Sequence, residues 1–320
     1  MEKKLQRLNL MVGLVLFLFD YGSDIYVAIQ YWNNGEIWWF SLTVVFISVP
    51  SIIVNITAII QVINAWRCIA ALLQLSIVIR YFEVISSPIV DGTYSLARLR
   101  YLETITESAP QWCLQVYIML RQWSFPSYTI VSSVLSFLSL IWSIRTLEKE
   151  RVGAFEDDFG FCEAFVLVIW QMFTLVSRLS AIVIISYVFR YAVFFLAGHW
   201  LLMVIYHVFF QRMGEDFLGL LFLSLLATYP SLFHSISLND ILSCKSPKAE
   251  MIVAYIFIVV ENIVIVVLSL TIDIPDAKHM DVLKPIAYGC LIGGTSISFI
   301  FFCCFIYITN TSWINSFSTH

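Results

Sequence analysis

The chain returns again and again to apolar runs long enough to cross a bilayer. A spanning helix needs ~20 mainly apolar residues. Eight stretches qualify, at roughly 8–31, 38–65, 98–122, 127–145, 162–188, 191–211, 251–271 and 285–308. Two more, 68–85 and 217–236, are interrupted, the first by Arg80 and Glu83 and the second by Pro230. Charged residues make up 12% of the 320, against ~25% in a soluble domain, and mean hydropathy is +0.87. The expected fold is an all-α polytopic membrane protein with about eight transmembrane helices and two re-entrant or partly inserted helices. The loops leave no room for a soluble catalytic domain.

Basic residues orient the spans. With a cytosolic N-terminus and 68–85 and 217–236 entering and leaving on the cytosolic side, 12 of the 18 Lys and Arg fall inside. Four fall outside, and only Arg80 and Arg178 stay in the membrane. That bias fits the positive-inside rule and places both termini in the cytosol. The order span, span, re-entrant, span, span then occurs twice, giving two pseudo-repeated halves. The expected division is a repeat at 1–150, a cytosolic connection at 151–161, and a second repeat with a short cytosolic tail at 162–320. "MEKKLQRLNL" reads as a cytosolic start flowing into the first span, not a cleavable signal.

Other classes find little support. The net charge of −4 and the absence of a long basic run argue against nucleic acid. The seven cysteines lie mostly inside apolar runs without C-x-x-C spacing, so neither a disulfide framework nor a zinc site is expected. No G-x-S-x-G, H-E-x-x-H or Gly-rich phosphate loop occurs. No catalytic residue, cofactor or metal is therefore expected, and the chain reads as a non-enzyme.

The chemistry lies in acids placed in the wrong solvent. Asp20, Asp24, Glu83, Glu103, Glu107, Glu163 and Glu261 fall in the membrane region. A charge at the bilayer centre costs at least ~2.5–3.5 kcal/mol. Asp20 and Asp24 are four apart and share one helix face. Glu103, Glu107, Gln111 and Gln115 repeat every four residues and make a stripe along another helix. In the fifth span Glu163, Gln171, Thr174 and Arg178 also share a face. Polar faces of this kind are expected to line a hydrated path or a neighbouring helix. Pro110, which has no N–H, is expected to kink the third span and free a carbonyl near the stripe. Structural ion pairing is the competing reading for Asp20, Asp24, Arg178 and Glu261, and Arg80 and Glu83 are spaced to pair with each other. The histidines, His199 among them, read as packed groups with no carboxylate beside them.

The stretch "LRYLETITESAPQWCLQVYIMLRQ" (99–122) resembles the XK-related membrane proteins, where an E-S-A-P-Q signature opens a transmembrane helix. "FLFDYGSDIYVAIQYWNNGEIWW" (17–39) is similar to that family's first span, with its D-x-x-x-D pair. The resemblance implies phospholipid scrambling without ATP. It includes exposure of phosphatidylserine at the plasma membrane of apoptotic cells, after a caspase removes a C-terminal tail. Some members lack that activity, and some pair with a single-span membrane protein. Glu107, Ser108, Ala109, Pro110 and Gln111 fill the signature here, and Asp20 and Asp24 fill the first-span pair. The departure is the tail: only "TNTSWINSFSTH" follows the expected last span, as in a processed or truncated form. The caspase-like "DIPDA" (273–277) falls on the outer side of the expected topology. A small-solute or ion transporter and a non-transporting subunit remain the alternatives.

Overall fold

The structure, a computed structural model, describes residues 2–61, 75–86, 90–155, 161–189, 192–210, 232–233, 248–271 and 280–318. Every regular element among them is helical. They are α1 (Glu2–Asn33), α2 (Ile37–Gln61), α3 (Ser76–Ser86), α4 (Val90–Thr106), α5 (Ser108–Gln122) and α6 (Ser127–Phe155). There follow α7 (Phe161–Val188), α8 (Ala192–Phe210), α9 (Lys248–Thr271), α10 (Met280–Tyr288), a π-turn at Gly289–Gly293 and α11 (Gly294–Ser318). The chain divides into two compact units, Met1–Ala164 and Phe165–His320.

In the first unit the helices are inside out. On α1 the exposed side chains are Leu8, Met11, Val15, Leu18, Tyr26 and Ile29, spaced so that they form one apolar stripe. The buried face carries Asp20 and Asp24 beside Phe17, Val27 and Tyr31. On α6, Ile130, Val131, Val134 and Leu138 face out while Thr129, Ser132, Ser136, Ser139 and Ser143 face in. A soluble bundle has the opposite arrangement; a solvent of hydrocarbon explains this one. Five helices among the described residues are long and apolar enough to span: Gln6–Asn33, Ile37–Ile56, Ser127–Glu150, Cys162–Val188 and Pro285–Ile308. The chain is a multi-pass, all-helical membrane protein.

Eight spans were expected; the five are counted among the described residues alone. The expected third span, 98–122, is two helices that carry Arg100, Glu103 and Glu107 across their junction. The chain continuity at that junction persists, because Glu107 N–H reaches the Glu103 carbonyl (2.8 Å) and Gln111 N–H reaches that of Glu107 (2.9 Å). The break is at Glu107 (φ −108°, ψ −67°), with Pro110 in the following turn. In the expected sixth and seventh spans the described apolar stretches are the shorter Phe194–Ile205 and Tyr255–Ser269. Residues 151–155, expected in a connecting loop, complete α6, and residues 309–318, expected as a tail, continue α11. Of the two interrupted segments, 76–86 is a helix; 217–236 and the "DIPDA" string lie almost wholly outside the described residues.

Turns close the first unit tightly. Gly35 sits at φ 75°, where a side chain would be strained, and lets Glu36 N–H return to the Tyr31 carbonyl (2.9 Å). Trp123, at φ 50°, closes α5 in the same way, its N–H on the Met119 carbonyl. α6 packs on α1, α4 and α5, and α2 on α1 and α4.

In the second unit Trp170, Tyr255, Phe302 and Phe305 form an aromatic cluster, with Tyr255 and Phe302 stacked at 4.4 Å. Thr174 and Tyr255 each bond Ser298 Oγ at 2.7 Å. Gly294 lies directly on α7: a Cβ there would sit 3.1 Å from Ser177 Cβ and 3.3 Å from the Phe173 carbonyl oxygen. Gly294→Ala should therefore destabilise by ~1–3 kcal/mol through overpacking against backbone. Gly289→Ala, in open space, should leave the thermal midpoint in detergent within a degree or two. Equal behaviour of the two variants would refute the close approach.

Candidate functional site

The first unit's polar residues converge on one sealed layer between α1, α4, α5 and α6. Asp20, Asp24, Glu103, Glu107, Gln111 and Gln115 are each no more than 3% exposed. A hydrated path or a neighbouring helix was expected along these faces; neighbouring helices cover them. Asp20 accepts from Ser136 Oγ (2.7 Å) through Oδ1 and from Ser108 Oγ (2.8 Å) through Oδ2. Asp24 Oδ1 accepts from Ser132 Oγ (2.6 Å) and Gln115 Nε2 (2.9 Å). Gln115 Oε1 in turn accepts from Ser133 Oγ (2.9 Å). Gln111 Nε2 donates to the Thr43 carbonyl on α2 (3.1 Å). Neither aspartate forms an ion pair with a described residue.

Hydroxyls and an amide hold the two aspartates. Thr129, Ser132, Ser133, Ser136, Ser139 and Ser143 recur at intervals of one, three or four along α6 and all face inward. Sequence reasoning passed over this ladder, although its spacing was visible, because it weighed charges and not hydroxyls. A charge-assisted hydrogen bond is short and stronger than a neutral one, so three from hydroxyls and one from the Gln115 amide offset much of the cost of burying two carboxylates.

Arg100, expected on the cytosolic side, is the second group that the fold buries. It is 5% exposed, ion-paired with Glu103, and donates to Ser139 Oγ (3.0 Å). Its guanidinium lies 4.7 Å from the Phe17 ring centre. Glu103, 3% exposed, is thus the buried partner of Arg100. Thr104, one position on, shares a 2.6 Å hydrogen bond with Ser143. Arg80 and Glu83 pair with each other at 3.4 Å, half-buried on α3.

A groove runs beside the layer on the lipid-facing side of α1 and α6. It encloses about 400 Å³ and is lined by Leu18, Phe19, Gly22, Ser23, Tyr26 and Tyr128, with Val131 on its rim. Ser23 connects groove and layer: its Oγ bonds Ser132 Oγ (3.3 Å) and the Asp20 carbonyl (2.8 Å). Asp24 Oδ2 and Gln111 Oε1 are buried with no hydrogen-bond partner among the described residues.

Residues 8–307 match the family described as XK-related protein. The chain belongs to the XK-related family. Among curated relatives of that family it is similar to XK-related protein 8 of Gasterosteus aculeatus, 23% identical over 60% of this chain and 56% of the relative. XK-related protein 8 of Tetraodon nigroviridis is also 23% identical, over 55% of this chain and 52% of the relative. XK-related protein 8 of Pan troglodytes is 21% identical over 91% of this chain and 81% of the relative. The matched part spans about half the length of the two fish relatives. The E-S-A-P-Q stretch of this family member is thus the break between α4 and α5: Glu107 at the break, Ser108 on Asp20, and Gln111 on the α2 backbone.

The second unit holds its own charged group. Arg178 (α7, fully buried) pairs with Glu261 Oε2 (α9) at 2.8 Å, and its Nε donates to the Leu232 carbonyl (2.6 Å). His199 Nδ1 (α8) pairs with Glu261 Oε1. His199 therefore does have a carboxylate beside it, contrary to expectation; the partner is 62 residues away and no periodicity could place it. Gln171 and Thr174 are buried on the Arg178 face of α7. Glu163 is half-buried in the first turn of that helix. Among the described residues no group of His, Cys, Asp and Glu is placed to hold a metal ion. No disulfide forms among the described cysteines.

Proposed function

We propose that the chain is a phospholipid scramblase, moving lipids that include phosphatidylserine between plasma-membrane leaflets without ATP and without covalent chemistry. One observation carries the reading: carboxylates buried in a membrane helix bundle are held by exchangeable neutral donors and lie one serine from a lipid-facing groove. A headgroup amine entering past Gly22 and Ser23 would replace Ser132 and Gln115 as donor to Asp24. The acyl chains would stay against Leu18, Phe19 and Val131. The sealed layer corresponds to a closed state in this reading. Opening follows caspase removal of a C-terminal tail in apoptotic cells.

The same proposal takes both termini as cytosolic, following the basic residues, and takes 98–122, 191–211 and 251–271 as crossing with their neighbours, in two repeated halves. A single-span membrane partner and the caspase are its proposed protein partners. Closure of the layer also favours a second reading, a non-transporting subunit whose buried acids are structural.

Reconstitution separates the two. Liposomes carrying fluorescent lipid and the chain should lose well over half their signal to dithionite. Loss of only the outer-leaflet half, in the chain and in a partnered complex alike, would favour the subunit. In active liposomes Asp24→Asn should slow scrambling about tenfold, the effect of ~1.4 kcal/mol on a barrier. An unchanged rate in folded protein would remove Asp24 from the path.

A further inference from the structure

Beside the layer, at the end of the first unit where α1 begins and α6 finishes, a second cavity opens between α1, α3, α4 and α6. Its lining is rich in donors and cations. Arg100 forms the floor, and Arg145 and Lys149 stand on the α6 wall. Arg145 is fixed by stacking, its guanidinium 5.1 Å from the Trp142 ring centre. Neither Arg145 nor Lys149 pairs with a carboxylate among the described residues. Glu150 is the one acid on the lining; Glu103 lies behind Arg100 and is committed to it. Tyr81 Oη and Trp142 Nε1 converge above Gly13, so close that a Cβ there would be 2.8 Å and 3.2 Å from them. Only glycine leaves those two donors their space. Asn9, Ser143 and Thr146 supply further polar groups to the wall.

From this we infer that the cavity is a binding site for a phosphate group, engaged by Arg145 and Lys149 with Arg100 beneath. The reasoning is one of complementarity. A phosphate presents only acceptors, and this cavity offers two cations free of carboxylates, a stacked guanidinium suited to bidentate contact, and two neutral N–H and O–H donors. Its free volume is about 30 Å³, room for roughly two waters, so it takes phosphate oxygens and leaves the rest of a ligand outside. A phosphomonoester carries more charge than the diester of a choline lipid and is the better match. The ligand is either an anionic lipid headgroup or a free phosphate. The topology proposed above puts this end of the unit at the cytosolic leaflet; the phosphate chemistry does not depend on it.

The test uses the full chain in detergent, titrated with inorganic phosphate, short-chain phosphatidic acid and short-chain phosphatidylcholine, with the thermal midpoint as readout. Saturable stabilisation by phosphatidic acid and not by phosphatidylcholine is expected. Arg145→Gln and Lys149→Gln should each weaken it about tenfold, one charge-assisted bond. Glu150→Gln, which removes the like charge, should strengthen it and keeps the test open should a cation variant fold poorly. A response to phosphatidic acid alone assigns a lipid headgroup; an equal response to inorganic phosphate assigns a soluble anion. No response to either, or a response undiminished in Arg145→Gln and Lys149→Gln and not strengthened in Glu150→Gln, overturns the site. The readout contains no lipid transfer, so its failure leaves the scramblase proposal standing, and failure of scrambling leaves the phosphate site standing.

Discussion

Arg100→Met should cost ~3–5 kcal/mol, the usual penalty for leaving one member of a buried ion pair without its partner. Glu103 would remain 3% exposed with its cation gone, and Ser139 would lose the guanidinium that donates to it. The methionine restores the volume and the contact with Phe17, so the loss reports charge and not a cavity. The thermal midpoint in detergent should fall sharply, and a second substitution, Glu103→Gln, should recover most of the loss. A double variant no better than the single one would mean that Arg100 serves the fold through packing alone. A single variant as stable as the parent would show that the pair is not buried.

The second unit allows a sharper comparison, because Glu261 has two partners. Arg178→Met leaves Glu261 with His199 still beside it, at 15% side-chain exposure. Glu261→Gln removes the carboxylate that pairs with the fully buried Arg178. Loss of the carboxylate should therefore cost ~3–5 kcal/mol, and loss of the arginine clearly less. The midpoints of the two variants and of their combination give the coupling energy directly. The opposite order, with the arginine variant the weaker, would place the main support of Glu261 on Arg178 and make His199 a bystander.

How far the sequence announced all this depends on the kind of residue. Asp20 and Asp24 four apart lie on one helix, Glu103 to Gln115 in steps of four run across the α4–α5 break, and periodicity placed each set on a single buried face. The partners of those faces are two-helix facts. Ser136 lies 116 residues from Asp20 and Ser132 lies 108 from Asp24, and a serine carries almost no hydropathy signal. The burial of Arg100 was not legible, because a sliding apolar window ends at the first charge, whereas the folded helix α4 begins ten residues earlier, at Val90. Pro110 drew attention as a breaker, and the backbone distortion at Glu107 lies in the turn before it, where a proline ring crowds the preceding carbonyls. The second unit's Arg178–Glu261–His199 group draws on three helices and has no local signature.

The serine ladder of α6 has a consequence for how the unit responds to ionic strength. Charges at a protein surface are screened over ~8 Å in physiological salt, and mobile ions do not enter hydrocarbon. Asp20 and Asp24 are held by hydroxyl and amide donors within 2.9 Å, bonds too short and too enclosed for a counter-ion to weaken. Arg145 and Lys149, on the open cavity at the end of the same helix, stand in water's reach. One helix therefore divides into a middle that is indifferent to salt and an end that is tuned by it. The electrolyte on one side of the membrane acts on the rim of the bundle while its interior keeps a constant strength.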